Sequence, residues 1–331
     1  MFTTVLAPLD GSMLARKAIP YAVALARQRQ GRLVFFQATS ADEHDAEADA
    51  LRDLGAEELR TSGLRVETRT VRCEPGRAAA AILEAARETT ADVIVMASHG
   101  RGELSRLVLG SVAEQTLHEA SVPVLLVTSS CERPWPVGRA PRVVVSLDGS
   151  KLAESALASA RAVAGVPGGT ITLVEVVDLR ATVYANGYAY TGSLIDTDMQ
   201  RARHYLRDVA TTLAGTGATV DVRVEVGIPD LAIADAAQET DADLIVMATH
   251  GRGGIDRVFL GSVAFGVLHR ARTPLLLVRA APEAAEVAAP DADGTANLAL
   301  SRRELRLLQA GLERVRLDRD EKIATPKELS L

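Results

Sequence analysis

The chain has 331 residues, 47% of them hydrophobic and 24% charged, with a formal net charge of −6 and a pI near 5.6. That length suggests about two domains, the composition is globular rather than disordered, and the acidic balance argues against a general nucleic-acid binder, which needs a basic footprint for phosphates. The two cysteines, Cys73 and Cys131, are too few for a disulfide framework or a cysteine zinc site, and no apolar run reaches the ~18–20 residues that cross a bilayer.

The opening MFTTVLAPLDGS has no basic stretch followed by an apolar one, so no signal peptide is expected and a cytoplasmic location without membrane contact is. In chain order the pattern predicts strands near 3–9, 32–38, 64–71, 92–97 and 123–128, alternating with helices near 12–29, 43–61, 76–90 and 111–119. Runs such as DVIVMA and PVLLV are continuously apolar, as in strands buried on both faces. The stretch SSCERPWPVGRA, residues 129–140, carries the breakers Pro134, Pro136 and Gly138 and reads as a linker. Strands then recur near 142–147, 169–177, 219–226, 243–248 and 274–278. Strand–helix alternation of this kind predicts an α/β fold built on parallel sheet. Residues 280–296 are rich in Ala, Pro, Asp and Gly and read as a flexible linker. Behind them Ser301 and Glu304 form a capping box, and Leu305, Leu308, Leu312 and Val315 share one helical face. This tail helix would dock on its own domain, pair with another chain, or fray.

The two halves are copies. Residues 92–127 and 243–278 align without gaps and share 22 of 36 positions. The starts VLAPLDGS (5–12) and VVVSLDGS (143–150) also match, which leaves 13 extra residues in the second copy between Asp148 and Gly227. Each copy is of domain length rather than a solenoid turn. The expected organisation is a domain at 1–128, a linker at 129–140, a second domain at 141–279 and the tail at 280–331.

In an open parallel sheet, ligands bind beyond the carboxyl ends of the strands where strand order reverses. Three features gather there. Asp10 ends strand 1 and is matched by Asp148. The loop after strand 4 reads Met96-Ala97-Ser98-His99-Gly100, matched by Met247-Ala248-Thr249-His250-Gly251. Gly110-Ser111 and Gly261-Ser262 then open the next helix. The N–H groups and partial positive charge of a helix start suit a phosphate, and glycine lets backbone approach closely. The bland alternative is that the serine is a plain helix cap. No Gly-Lys-Ser/Thr follows these glycines, and no G-x-G-x-x-G opens the first helix, so neither a Walker A loop nor a dinucleotide fingerprint is present. SGGxDS and HIGH-type motifs of adenylate-forming enzymes are also missing.

On these residues the chain resembles a tandem universal stress protein over 1–128 and 141–279. The family's ATP motif is glycine, two residues, glycine, nine residues, glycine, then Ser or Thr. Here it runs Ala97, Gly100, Gly110-Ser111 and Ala248, Gly251, Gly261-Ser262, with alanine replacing the first glycine in both copies. The alanine is tolerable if that backbone does not need positive φ. The resemblance implies two open five-stranded parallel sheets of order 3-2-1-4-5, helices on both faces, and domains paired through their fifth strands, here within one chain. It implies ATP with Mg²⁺ bridging the phosphates. Asp10 and Asp148 would contact the ribose or the phosphate-bound metal, and backbone at Ala38 and Val176 the adenine. Met96 and Met247 would line the nucleotide, and the N–H groups of Val112 and Val263 would meet phosphates. Pro8 precedes Asp10 as in ATP-binding members, whereas the second copy has Ser146.

Other residues have weaker signals. His99 and His250 could do acid–base chemistry, but holding the loop's shape is the simpler role. His118 and His269 sit late in a helix, where a partly positive imidazole is favoured. Arg101, Arg252, Arg106 and Arg257 could reach phosphates or stand in solvent. Tyr184, Tyr188 and Tyr190 lie in the insertion at 181–193, which could cover a ligand or pack at a surface. No cluster has metal-ligand spacing. The expected function is an ATP-binding, nucleotide-dependent regulator in stress response, with homodimerisation open. The alternatives are an ATPase or AMP-forming ligase, and a scaffold that binds no nucleotide. Fast phosphoryl transfer needs a positioned base and strong charge neutralisation, and no residue here can be named for either.

Overall fold

A computed structural model of the chain describes residues 2–39, 44–99, 109–178, 192–249 and 260–279. Met1–Ala281 forms one compact unit, while the second unit, Pro282–Leu331, and with it the expected tail helix, lies outside the described residues.

Repeat one runs β1 (Thr4–Pro8), α1 (Met13–Arg27), β2 (Arg32–Thr39), α2 (His44–Ser62), β3 (Arg65–Arg72), α3 (Ala78–Glu88), β4 (Val93–Ala97), α4 (Ser111–Glu119) and β5 (Val124–Val127). Repeat two runs β6 (Arg142–Leu147), α5 (Lys151–Glu154), α6 (Ala156–Ala164), β7 (Thr170–Asp178), α7 (Gly192–Thr212), β8 (Thr219–Gly227), α8 (Pro229–Glu239), β9 (Leu244–Ala248), α9 (Ser262–Arg270) and β10 (Leu275–Val278). The strands form one ten-stranded sheet of order β3-β2-β1-β4-β5-β10-β9-β6-β7-β8. Each repeat therefore has the expected order 3-2-1-4-5. Pairing is parallel within each repeat, and β5 meets β10 antiparallel, with Leu275 opposite Leu126 and Leu277 opposite Val124. The two sheets thus fuse through their fifth strands, which leaves neither of those strands as an open edge.

Burial follows from position in this sheet. Every residue of β4 and β9 is buried, as continuous apolar strands covered on both faces should be. The outermost strands, β3 and β8, are only partly buried and carry charge. Arg69 pairs with Glu67 and Glu88, and Arg223 with Glu225 and Glu239, the kind of charged edge that discourages pairing with another chain. Helices α1, α2, α5, α6 and α7 cover one face, and α3, α4, α8 and α9 the other.

The stretch 129–140, between β5 and β6, is packed rather than loose. Cys131 and Trp135 are buried. Trp135 meets the ring of Tyr21 edge-on at 6.2 Å, and the Tyr21 hydroxyl donates to the Arg133 carbonyl. On the other side, Arg133 pairs with Asp241, and Arg139 donates two hydrogen bonds, of 2.7 and 2.6 Å, to Asp243.

Candidate functional site

After β1 the chain turns to one face of the sheet, through α1. After β4, the strand beside β1, it goes to the other face, through α4. A crevice opens between two such connections at the carboxyl ends of the strands, and β6 and β9 repeat the arrangement.

One wall of each crevice is an Asp-Gly-Ser turn. Gly11 and Gly149 sit at φ of 80° and 81°, the left-handed region that glycine enters without a Cβ penalty. This lets the N–H of Ser12 donate to Asp10 Oδ1 at 2.9 Å, and that of Ser150 to Asp148 Oδ1 at 3.0 Å. Each serine then caps its helix: Ser12 Oγ accepts from Ala15 N at 3.0 Å, and Ser150 Oγ from Ala153 N at 3.1 Å. The turn thus fixes the half-buried Asp10 and Asp148 carboxylates at the crevice.

The opposite wall is a helix start of a different kind. The cap residues of α4 and α9 are Gly110 and Gly261, and no side chain caps either helix. Ser111 and Ser262 are the first helical residues, so the plain serine cap allowed by the sequence is not what forms. Gly110 N donates to the Ser98 carbonyl, and Gly261 N to the Thr249 carbonyl, both at 2.9 Å. These bonds close the base of each loop and use the glycine N–H groups. The N–H groups that follow, from Ser111 and Val112 and from Ser262 and Val263, belong to the uncapped first turn, where helices hold anions. Ser111, Val112 and Ser262 are exposed.

The remaining expected positions fall around the same crevice. Pro8 is buried at the end of β1, whereas Ser146 is half-buried at the end of β6. Ala38 and Val176 lie near the ends of β2 and β7, partly buried against the core on the α3 and α8 face. Met96 and Met247 are buried on that face too. Ala97 and Ala248 end β4 and β9, and neither has positive φ, so alanine fits where the family motif has glycine. Gly100, Gly251, His250, the four loop arginines and the three tyrosines of the insertion lie outside the described residues.

His99 stays in its loop, its Nδ1 3.0 Å from Ser98 Oγ. Burial, and then the nearby His269, hold its pKa below the ordinary imidazole value. Sequence reasoning missed a set of carboxylates in repeat two. Tyr205 on α7 donates to Glu154 Oε1 at 3.4 Å. Burial first, then Glu154, Glu175 and Asp148, push its hydroxyl above the ordinary tyrosine range. At the positions of Glu154 and Glu175, repeat one has Arg16 and Gln37. Aligning the two copies residue by residue in α1 and β2 would have exposed this change of charge. Among the described residues no group of three or more His, Cys, Asp or Glu is arranged to hold a metal ion. None of the described helices is long and apolar enough to cross a membrane.

A sequence model of the universal stress protein family matches residues 1–128 and 140–279. A universal stress protein of Mycobacterium tuberculosis is 33% identical over 192 residues, 57% of this chain and 62% of that one; the chain thus spans less than two thirds of that relative. Another, from Mycolicibacterium smegmatis, is 31% identical over 224 residues, 66% of this chain and 70% of that one. The crystal structure of a universal stress protein from Archaeoglobus fulgidus superposes with a TM-score of 0.61 at 22% identity, covering 84% of this chain and 97% of that one, a likeness of fold.

Proposed function

We propose that this chain, which belongs to the universal stress protein family and carries two of its domains in tandem, is a cytoplasmic ATP-binding regulator in stress response. The observation that carries this reading is the pair of uncapped helix starts. α4 and α9 both open on a Gly-Ser pair with no side-chain cap, and the strand beside the one that leads to each ends in an Asp-Gly-Ser turn that fixes a carboxylate. Phosphates would lie on the N–H groups of Ser111 and Val112 and of Ser262 and Val263. Gly100 and Gly251 would complete the loops. Pro8, Ala38, Met96 and Ala97 would wall the base and ribose in repeat one, and Val176, Met247 and Ala248 in repeat two. Asp10 and Asp148 would take ribose hydroxyls. Mg²⁺ would enter bridging the phosphates, which suits a cation that keeps several waters and few protein ligands. Each repeat would hold one ATP, and occupancy would set the conformation offered to a protein partner or a second copy of the chain. Any hydrolysis would be slow, since phosphoryl transfer needs a positioned water or base and no motif in the sequence supplies one.

The test is to release nucleotide from the purified chain by denaturation, identify it, and follow ADP and AMP on incubation with ATP–Mg²⁺. Bound ATP that persists for many minutes is expected. Rapid ADP or AMP formation would favour an enzyme. A chain that carries no nucleotide and gives no saturable heat with ATP–Mg²⁺ would leave only the scaffold reading.

A further inference from the structure

The two repeats meet along contacts that a second copy of the chain could make equally well. β5 pairs antiparallel with β10, Leu126 opposite Leu275 and Val124 opposite Leu277. Beside that seam Arg133 pairs with Asp241 and donates to the Ala242 carbonyl at 3.2 Å. Glu132 N donates to the Arg272 carbonyl at 3.4 Å, and the two side chains pair at 3.6 Å. Arg279 Nη1, just beyond β10, donates to the His118 carbonyl in the last turn of α4 at 2.7 Å. Each contact joins repeat one, or the stretch that follows it, to repeat two. Repeat two of another chain offers the same groups, so the seam alone does not decide whether the halves pair within one chain or between two.

A short piece of chain does decide it. Up to Trp135, the stretch after β5 is held on α1 of repeat one. Lys17 Nζ donates to the Ser129 carbonyl at 3.3 Å, the Tyr21 hydroxyl donates to the Arg133 carbonyl, and Trp135 is buried against the Tyr21 ring. From Arg139 onward the chain is held on repeat two, by the two bonds of Arg139 to Asp243 and by Arg142 N, which donates to the same carboxylate at 2.8 Å. Pro136, Val137 and Gly138 lie between these anchors. Val137 is 96% exposed. Gly138 has a φ of 77°, and a side chain built on it would meet nothing within 4 Å. That φ is open to glycine and strained for almost every residue with a Cβ. The turn that brings the chain back onto its own second repeat thus depends on the backbone of one residue and not on packing around it.

We propose that residues 136–138 are a closed hinge that keeps the repeats paired within one chain, and that the partner it shuts out is a second copy of the same chain. Closed, the hinge holds repeat two at a high effective concentration beside repeat one. Opened, both anchors stay in place, each repeat one takes repeat two of the other chain, and a swapped dimer remakes every contact of the seam. The seam therefore favours neither form. The balance rests on the φ of Gly138 and on the freedom lost when two chains become one particle. No nucleotide enters this balance, so the inference stands apart from the function proposed above.

The test follows the mass and the connectivity of the full chain after refolding from denaturant over a range of concentrations, because the seam must separate before partners can exchange. Light scattering after size exclusion reads the mass. Glu132→Cys with Arg272→Cys, an exposed pair across the seam, reads the connectivity. Once oxidised, the pair is an intrachain disulfide in the closed form and an interchain one, giving a covalent dimer, in the swapped form. With the native hinge the disulfide should be intrachain. Gly138→Val should lower the concentration at which dimer forms about tenfold or more and make the disulfide interchain, because valine resists positive φ. Gly138→Asn, which tolerates that φ, should return both readouts to those of the native hinge. If Gly138→Val does not fold, deletion of Val137 and Gly138 replaces it; Pro136 alone is too short to close the turn, and only interchain pairing is expected. Gly138→Val chains that stay monomeric, or dimers whose disulfide stays intrachain, would overturn the inference. So would an interchain disulfide with the native hinge, or a deletion variant that refolds only as monomer or not at all.

Discussion

The two repeats share a backbone and differ in their walls. In both, a glycine N–H closes the loop after the fourth strand at 2.9 Å, and an Asp-Gly-Ser turn caps the first helix. Main-chain donors and acceptors make the loop closure, and almost any residue supplies those, so it survives divergence around it. The walls depend on side chains and have drifted. Repeat one has the buried Pro8, and Arg16 and Gln37 where repeat two has Glu154 and Glu175; repeat two has Ser146 in place of Pro8. The two copies thus keep an uncapped helix start while the surroundings in repeat two are more acidic. On the proposed nucleotide-binding reading, repeat one would be the stronger site.

The largest expected effect lies in what the repeats share. Gly110→Val should abolish ATP binding in repeat one, and Gly261→Val in repeat two, each by about 100-fold or more, because a side chain would block several charge-assisted N–H contacts. The two glycines have φ of −62° and −58°, which valine can adopt, so circular dichroism should show an intact fold. Binding that survives the double variant would remove the basis of the comparison.

The next effect concerns how each repeat secures the aspartate before its fourth strand. Asp243 is buried, and it accepts two bonds from the half-exposed Arg139 and one from Arg142 N at 2.8 Å. Arg139→Ala would strand that carboxylate, and denaturant unfolding should report a loss of about 2–3 kcal/mol. Asp92 in repeat one instead accepts from the Thr3 hydroxyl and the N–H groups of Thr3 and Thr4. Burial alone would raise its pKa, but these hydrogen bonds outweigh it and hold the carboxyl below the ordinary aspartate range. A folded pKa below the unfolded one gives stability that is present above about pH 4 and lost as pH falls through the folded value. Thr3→Ala should cost about 1 kcal/mol at pH 7, and acid unfolding should begin at a higher pH. An unchanged acid transition would show that the hydroxyl contributes nothing.

Smaller effects rank the walls. Titrating Asp10→Ala and Asp148→Ala chains should show repeat one binding about fivefold more tightly than repeat two, roughly 1 kcal/mol. Glu175→Gln, which restores the residue of repeat one, should then strengthen repeat two about twofold, as expected for removing one negative charge near an anion across a partly solvated distance. Equal affinities in the two parents would mean that Pro8 and the carboxylates do not bear on the nucleotide.

Much of this frame was legible in the residues. Strand-length apolar runs, the matched LDGS starts and the shared segment at 92–127 and 243–278 placed nearly every element, because burial on both faces of a parallel sheet demands such runs. The turns at Asp10 and Asp148 and the helix starts after Gly110 and Gly261 were legible because such features are local. What stayed hidden was long-range. Nothing in SSCERPWPVGRA says that Arg139 finds Asp243 or that Trp135 meets Tyr21, since those contacts depend on where the second repeat sits. That Gly110, not Ser111, is the cap could not be read either, because Gly-Ser is compatible with both.

The central claim is that the uncapped starts of α4 and α9 hold the phosphates. Backbone amide hydrogen exchange with and without ATP–Mg²⁺ tests it most directly. Protection should rise at Ser111, Val112, Ser262 and Val263, while Ala15 and Ala153, already bonded to their serine caps, stay unchanged. Saturable binding that leaves those four amides unprotected would contradict it.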